Sequence, residues 1–319
     1  MQNATVAVLL ATYNPPLHWL AELLDSLNGQ TYRDLCLYVR DDASTSVTVQ
    51  QLDEILRAHI TAFPYKLLQN EQNLGSNGTF EALVKDAKEP YIAFCDQDDI
   101  WNSDKIENTF ALLKSSPLSP VMVCTNVSVV DGEGSPIAAR MEEHRKRHIF
   151  LRGEGLAPEL IYRNFALGCT MIMERERLLS YLPFPKEIVH DHYIAFCAAN
   201  EGAIDYLDEP QMRYRVYGGN QTVVMAGVKT KEDYFARRIL TFDQRVKHMS
   251  MVASLPALTE ASAWSRARIA NFHREKGGFR MLWKRRHTDP KTSLLELLIL
   301  RLPTPLFRLV ISLIQKGVL

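Results

Sequence analysis

Tyr91-Ile92-Ala93-Phe94-Cys95-Asp96-Gln97-Asp98-Asp99 joins an apolar run of strand length to a cluster of carboxylates. A short, uninterrupted apolar run bounded by turn residues reads as a strand buried on both faces, as in a parallel sheet. The carboxylates then crowd together at the strand's carboxyl end, where a divalent cation would relieve their repulsion. A diphosphate could complete the oxygen shell that hard cations prefer. The competing reading is an acidic turn leading into the next helix, with Asp104, near Ile106, as its cap.

On either side of this stretch, short apolar runs alternate with amphipathic segments of helical period, the pattern of a largely parallel sheet wrapped by helices. Strands are expected at Thr5–Thr12, Leu35–Arg40, Tyr65–Gln69, Tyr91–Cys95 and Val121–Val130. Helices are expected at Leu17–Leu27, Val47–Ala58, Thr79–Ala87 and Asp104–Lys114. The strands end in Tyr13-Asn14-Pro15-Pro16, Asp41-Asp42-Ala43-Ser44, Asn70–Asn77 and the acidic stretch. Ligands of open parallel sheets bind beyond the carboxyl ends of the strands, so these loops should converge on one crevice. After Gly132 the rhythm changes: Arg140–His148 reads as a solvated loop or helix, Gly168–Met173 as a short apolar stretch, and Asp191–Ala199 as a helix. Ile204–Leu207 and Gln211–Val216 read as extended, and from Lys231 the chain is helical and basic.

Lys+Arg and Asp+Glu are both 37 in the 319 residues, so net charge gives no argument for a nucleic-acid partner. From Lys229 onward 18 basic residues face 7 acidic ones, which leaves 19 basic and 30 acidic before it: an acidic body with a basic tail. Cys36, Cys95, Cys124, Cys169 and Cys197 lie singly in apolar runs, without the spacing of a zinc site or a disulfide framework. They read as the reduced, buried thiols of a cytosolic protein. Thr5–Ala11 follows the start without a basic region or cleavage site, so no secretion signal is expected.

Four segments in order resemble the nucleotide-binding half of the family 2 glycosyltransferases, which have the GT-A fold. They are Val8-Leu9-Leu10-Ala11-Thr12-Tyr13-Asn14-Pro15, Arg40-Asp41-Asp42-Ala43-Ser44, Asn73-Leu74-Gly75-Ser76-Asn77-Gly78 and Phe94-Cys95-Asp96-Gln97-Asp98-Asp99. The resemblance covers Thr5–Thr222 and implies an α/β catalytic domain over 1–228, with its donor half to about 131 and its acceptor half over 132–228. A helical extension follows over 229–319. By this resemblance Thr12 and Tyr13, with Asn14 beside them, line a nucleoside pocket, and Asp42 or its neighbour Asp41 contacts the base or ribose. An ordinary strand-terminal turn is the competing reading of Asp41. Gly75 and Gly78 would let backbone approach the donor, with Asn73 and Asn77 offering hydrogen bonds; alone, the segment is a turn before a helix. Asp98 would hold Mg2+ or Mn2+ beside the diphosphate, while Asp96 and Asp99 contact sugar, ribose or the groups behind the metal.

An inverting sugar transfer needs a general base, which the resemblance places on Asp191 in His190-Asp191-His192-Tyr193; a helix cap is the competing reading. His190 replaces an acid common at that place. His190 and His192 lack the i, i+4 register of a metal pair and read as lining or orienting residues. Gly168-Cys169-Thr170 resembles a small-residue segment at the acceptor edge, with a buried strand as the alternative. Arg213-Tyr214-Arg215-Val216-Tyr217-Gly218-Gly219-Asn220-Gln221-Thr222 resembles the loop that follows the base, where Arg215 would help neutralise the departing diphosphate. Tyr217 stands where a histidine is common and is not assigned as a ligand.

Asp96-Gln97-Asp98-Asp99-Ile100-Trp101 is especially similar to the bacterial rhamnosyltransferase branch that builds surface polysaccharides. That implies a dTDP-rhamnose donor and a growing lipid-linked glycan as acceptor. A UDP-hexose donor, or a non-catalytic sugar-nucleotide-binding scaffold, is the alternative. Thr12–Pro16 lacks both the glycine-rich basic signature of a nucleotidyltransferase and the Gly-x-Gly-x-x-Gly of a Rossmann oxidoreductase. Leu294–Leu319 is apolar but broken by Glu296, Arg301, Pro303, Pro305 and Arg308, which makes it a poor bilayer span. Behind Lys284-Arg285-Arg286 and Lys291 it reads either as a helix on an anionic membrane surface or as one packed on protein. The expected location is the cytoplasm or the inner face of the cell membrane, with a homodimer left open.

Overall fold

The computed structural model describes residues 5–146, 148–218, 225 and 227–315. Contacts divide the chain into two compact units, Met1–Tyr217 and Gly218–Leu319. The first runs β1 (Val6–Thr12), α1 (Leu17–Asn28), β2 (Leu35–Asp41), α2 (Val49–His59), β3 (Tyr65–Gln69), α3 (Gly75–Asp86) and β4 (Tyr91–Cys95). It continues β5 (Ile100–Trp101), α4 (Lys105–Ser115), β6 (Met122–Val130), β7 (Pro136–Ala138), α5 (Met141–His144) and α6 (Ala157–Tyr162). β8 (Ile172–Glu174), α7 (Arg175–Ser180), α8 (His190–Glu201) and β9 (Ile204–Arg215) complete it.

The described strands form one mixed sheet in the order β3-β2-β1-β4-β8-β6-β9-β5, with β7 on β6. β1 to β4 are mutually parallel, so Thr12, Asp41, Gln69 and Cys95 end at one edge. The largely parallel expectation holds for this half: β8 runs antiparallel to β4 and β6, and β5 antiparallel to β9. Strand alternation sends Val6, Val8 and Leu10, with Leu35, Leu37 and Val39, into one core with Leu20, Leu23, Leu24 and Leu27 of α1 and Leu52 and Leu56 of α2. On the other face Phe94 meets Phe80 of α3, ring centroids 5.4 Å apart. Each such side chain contributes about 1.5–3 kcal/mol on burial. Apolar packing therefore fixes the strands and leaves their terminal loops to carry polar chemistry.

Three expectations change for physical reasons. Helix α3 starts at Gly75 rather than Thr79, because the distant Asp42 carboxylate accepts the Leu74 and Gly75 amides at 2.7 and 2.9 Å and so satisfies its first turn. The two expected extended segments after Ile204 are one strand, β9, and register slips around Asn126 accommodate Pro210, which has no N–H to donate. Asp104 occupies the N-cap position of α4 but makes no side-chain cap bond; Gln30 Oε1 accepts the Ile106 amide instead, at 3.2 Å. Within the charged run 140–148, Met141–His144 form the short helix α5, and Arg147 lies outside the described residues.

The second unit contains α9 (Lys231–Tyr234), a π-helical stretch (Phe235–Leu240), α10 (Thr241–Val252), α11 (Pro256–Phe272), α12 (Gly278–Lys284), α13 (Pro290–Ile299) and α14 (Thr304–Gln315). Its core gathers Met225, Val228, Tyr234, Ile239, Ile299, Leu300, Phe307 and Ile311. Met225 and Val228 thus pack with the helical unit, and the division falls earlier than the expected 228/229. A buried Arg268–Glu296 ion pair, at 2.6 Å, is completed by the Tyr234 hydroxyl, which donates to Glu296 at 3.0 Å. The apolar residues Phe307 and Ile311 of α14 face this core, whereas Leu306 and Leu309 are exposed. No helix among the described residues is long and apolar enough to cross a membrane.

Candidate active site

At the ends of β1 and β2 the polar side chains are tied to one another. Thr12 donates to Asp41 Oδ1 at 3.3 Å, and Asp41 also accepts the Ser44 amide at 2.9 Å and the Ser44 hydroxyl at 2.5 Å. Asp42 accepts from Asn70 Nδ2 at 2.8 Å in addition to its two α3 amides. Asn14, at φ 46°, accepts the Thr45 and Ser46 amides and the Ser46 hydroxyl, each at 2.8 Å. Tyr13 differs: its ring is 47% exposed, while its backbone N–H donates to Gln97 Oε1 at 2.8 Å and its carbonyl accepts from Gln97 Nε2 at 3.2 Å. Thr12, Asn14, Asp41 and Asp42 are therefore bound into the loops around them, whereas the Tyr13 side chain is left half exposed. Asn73 braces the same corner, donating to the Asp42 carbonyl at 3.3 Å and accepting the Gly75 amide at 3.2 Å.

The acidic loop is crowded. Ligand atoms of Asp96, Asp99 and Cys169 all lie within 4.8 Å of one another. Asp99 accepts the Arg215 amide through Oδ1 at 3.1 Å, and its buried Oδ2 has no hydrogen-bond partner among the described residues. Burial, and then the charges of Asp98 and Asp191, push Asp96 up to about 7. Burial likewise raises Asp98, and raises Asp99 well above the usual carboxylate range. Burial also holds the Cys169 thiol well above its ordinary value, and its soft sulfur matches a hard, oxygen-preferring cation poorly. A buried, unsatisfied oxygen among repelling carboxylates fits a divalent, oxygen-loving ion. Asp98, expected to hold that ion, lies outside the tightest group and shares a hydrogen bond with the Tyr217 hydroxyl.

Arg215 departs from its expected place on the diphosphate. Its side chain is 1% exposed, and its guanidinium donates to the Asp98 carbonyl at 2.9 Å, the Gly132 carbonyl at 2.8 Å and Glu22 at 2.5 Å. It also sits 5.0 Å from the Trp19 ring centre. Arg215 thus positions the acidic loop from behind. Gly219-Asn220-Gln221-Thr222 of the same expected loop lie outside the described residues.

Close enough to the acidic loop for its charge to raise Asp96, Asp191 lies in the first turn of α8, past its N-cap Val189. Its carboxylate accepts the His192 amide at 2.5 Å and the Gly168 amide at 3.3 Å. Burial pushes it up to about 6, which suits a base working near neutral pH. Gly168–Thr170 form a 3-10 turn ahead of β8, closed by Thr170 Oγ1 donating to Leu167 O at 2.7 Å, rather than part of a strand. Cys169 of that turn belongs to the acidic cluster. A Cβ on Gly168 would stand 3.1 Å from His190 Nε2 and 3.4 Å from Asp191 Cβ. His190 packs among Phe80, Phe94 and Phe184, and burial lowers it to about 3, so the ring is neutral.

Asn77, expected to reach the donor, is committed to this helix start. Its Nδ2 donates to the Pro185 and Ile188 carbonyls, both at 2.7 Å, and its Oδ1 accepts the His190 amide at 2.9 Å. Gly75 has φ +72°, and Gly78 lets the helix pass Leu74, whose Cβ a side chain would meet at 2.8 Å.

Two residues beside the site received no role from sequence reasoning. Gln97 brackets Tyr13, as described above. Lys105 is 2% exposed, donates to Cys169 O at 2.5 Å and stands 3.3 Å from the Trp101 ring centre; burial lowers it to about 8. The available signal was its place on the buried stripe Lys105, Ile106, Thr109 and Leu113 of α4.

Residues 7–176 match the sequence model of Glycosyl transferase family 2. A Shigella flexneri relative described as dTDP-rhamnosyl transferase RfbG is 27% identical over 235 residues, 70% of this chain and 76% of the relative. The Escherichia coli UDP-Glc:alpha-D-GlcNAc-diphosphoundecaprenol beta-1,3-glucosyltransferase WfgD is 26% identical over 199 residues, 61% of this chain and 69% of the relative. Among solved structures, S. aureus TarS in complex with UDP-GlcNAc superposes with a TM-score of 0.60 at 19% identity, over 98% of this chain and 92% of that one. The mannosyltransferase PcManGT from Pyrobaculum calidifontis, in complex with GDP-Man and Mn2+, gives 0.56 at 19% identity, over 100% and 87%. The mixed sheet flanked by helices is the GT-A fold, and with a family match across more than half its length the chain belongs to glycosyl transferase family 2 and is a glycosyltransferase.

Proposed function

We propose that the enzyme transfers rhamnose from dTDP-rhamnose, with inversion, to a hydroxyl of a growing cell-surface or lipid-linked glycan at the cytoplasmic face of the membrane. The observation that carries the reading is Asp191: a carboxylate pinned by two backbone amides, raised to about 6, and electrostatically coupled to Asp96. In this scheme the acceptor oxygen attacks the anomeric carbon while Asp191 takes its proton, and the anomeric carbon–oxygen bond to the diphosphate breaks on the opposite face. Asp98 would hold Mg2+ or Mn2+, with Asp96 and Asp99 beside it. When bound, the ion supplies positive charge to the leaving diphosphate. Tyr13 packs on the base, and the wall built by Thr12, Asn14, Asp41 and Asp42 fixes where the nucleoside lies. The Gly168 amide holds the Asp191 carboxylate, Asn77 holds the chain entering α8, and His190 contributes a neutral, apolar-backed surface on the acceptor side.

The rhamnosyl assignment is supported by the description of the Shigella flexneri relative. The similar identity to a UDP-glucose-dependent enzyme favours a UDP-hexose as the second reading. A transfer assay with dTDP-rhamnose and UDP-glucose on an undecaprenyl-diphosphate-linked acceptor separates the two. Asp191→Asn should lower transfer by about 10²–10⁴-fold while donor binding persists; transfer at the normal rate would remove Asp191 from the role of base.

A further inference from the structure

We propose that α12 and α13 present a membrane-docking ridge whose partner is an anionic phospholipid surface. The reading rests on a lipid-linked acceptor for its purpose, but the binding itself is independent of sugar transfer. Phe279 and Trp283, one helical turn apart on α12, are 47% and 44% exposed and their rings lie nearly parallel, 6° apart in orientation with centroids 6.4 Å apart. Arg301 stands 4.6 Å from the Phe279 ring centre and Arg286 4.4 Å from that of Trp283. Three residues before Arg301, Leu298 is 61% exposed, and Leu294, one turn earlier on α13, is 49% exposed. The ring and guanidinium contacts join Arg301, Phe279, Trp283 and Arg286, and with the exposed Leu294 and Leu298 that precede Arg301 on α13 these residues form the candidate ridge.

Charge selects the partner. From Arg274 to the end the sequence has ten Lys/Arg and three Asp/Glu. Two of those acids are consumed internally: Asp289 accepts the Thr292 amide that starts α13, and Glu296 is buried on Arg268. Glu275 remains, in a depression of about 360 Å3 that it shares with Arg274, Gly277, Phe279 and Arg301. An aromatic–arginine ridge flanked by Arg280, Lys284 and Lys291 matches the interfacial zone of a bilayer, where amphipathic rings settle at headgroup depth and cations meet lipid phosphate. A protein partner would need many acidic residues and an apolar strip together; an anionic bilayer supplies both over any area.

The test is co-flotation of the full-length protein with vesicles of phosphatidylglycerol and phosphatidylcholine, and with vesicles of phosphatidylcholine alone. Binding is expected on the anionic vesicles, weakening steeply with added salt, and at least tenfold weaker for Phe279→Ala/Trp283→Ala. Met251→Ala, at the most exposed large apolar side chain outside the ridge among the described residues, should bind as the wild type does. Leu298→Gln serves as a second ridge variant if the double variant loses its fold, as checked by its melting transition. Nucleotide binding measured on each variant should be unchanged, which separates failure of this inference from failure of the donor-site reading. No binding to anionic vesicles, equal binding by the ridge variants, or a homodimer abolished by the ridge variants without any vesicle binding would each overturn the proposal.

Discussion

Asp41 ends β2 and Asp96 follows β4, two parallel strands of one sheet, yet the protein treats the two carboxylates in opposite ways. Asp41 accepts bonds from Thr12 and, twice, from Ser44, and the neighbouring Asp42 is satisfied by Asn70 and the start of α3. Asp96 sits instead in a cluster whose members repel one another, where burial and charge push it up to about 7 and Asp99 keeps a buried oxygen with no hydrogen-bond partner among the described residues. One edge is complete as folded and contributes shape; the other stores repulsion that a cation would relieve. A polar network inside a protein stabilises when every member is satisfied and costs free energy when one is not. Under the proposed mechanism, the unsatisfied edge is the one that receives the cation.

The contrast can be sharpened first by pH. In the proposed mechanism Asp191 takes the proton in its ionised form, and its value is raised to about 6, so the transfer rate should fall about tenfold per unit as pH drops below 6. A rate that stays flat down to about pH 5 would place the base elsewhere. Next in size is Gly168→Ala, whose Cβ would press on His190 and Asp191. Steady-state kinetics should show kcat reduced by about tenfold with donor KM little changed, because a shift of a reacting group by a fraction of an ångström is costly. Smaller again is Asn77→Ala, which strips three hydrogen bonds from the segment leading into α8. Loss of partners for buried groups costs about 1–3 kcal/mol. Thermal unfolding should register it as a lowered Tm, and an unchanged Tm would mean that water replaces the amide.

The satisfied edge and the crowded edge were unequally legible in the sequence. β3 and β4 could be bounded to the residue because their apolar runs stop at turn-forming residues, and the four motifs located the loops. The roles of Asn77 and Arg215 were not legible, because each depends on partners more than eighty residues away in the chain. The early start of α3 was hidden for the same reason, its cap coming from Asp42. β5 and β7 were missed because two or three residues carry no period to detect. Lys105 received no role, since nothing local reveals that Trp101 and the Cys169 carbonyl close over it.

The most direct test of the account is calorimetric titration of dTDP and of UDP into the protein, each with and without Mn2+, and again with Asp98→Ala. A metal-dependent diphosphate site predicts at least about tenfold tighter binding of one nucleotide with Mn2+, a difference of about 1.4 kcal/mol, and loss of that gain in the variant. Equal affinity with and without the metal, or no binding of either diphosphate, would contradict the claim that the crowded carboxylates at the end of β4 exist to receive a cation and its nucleotide.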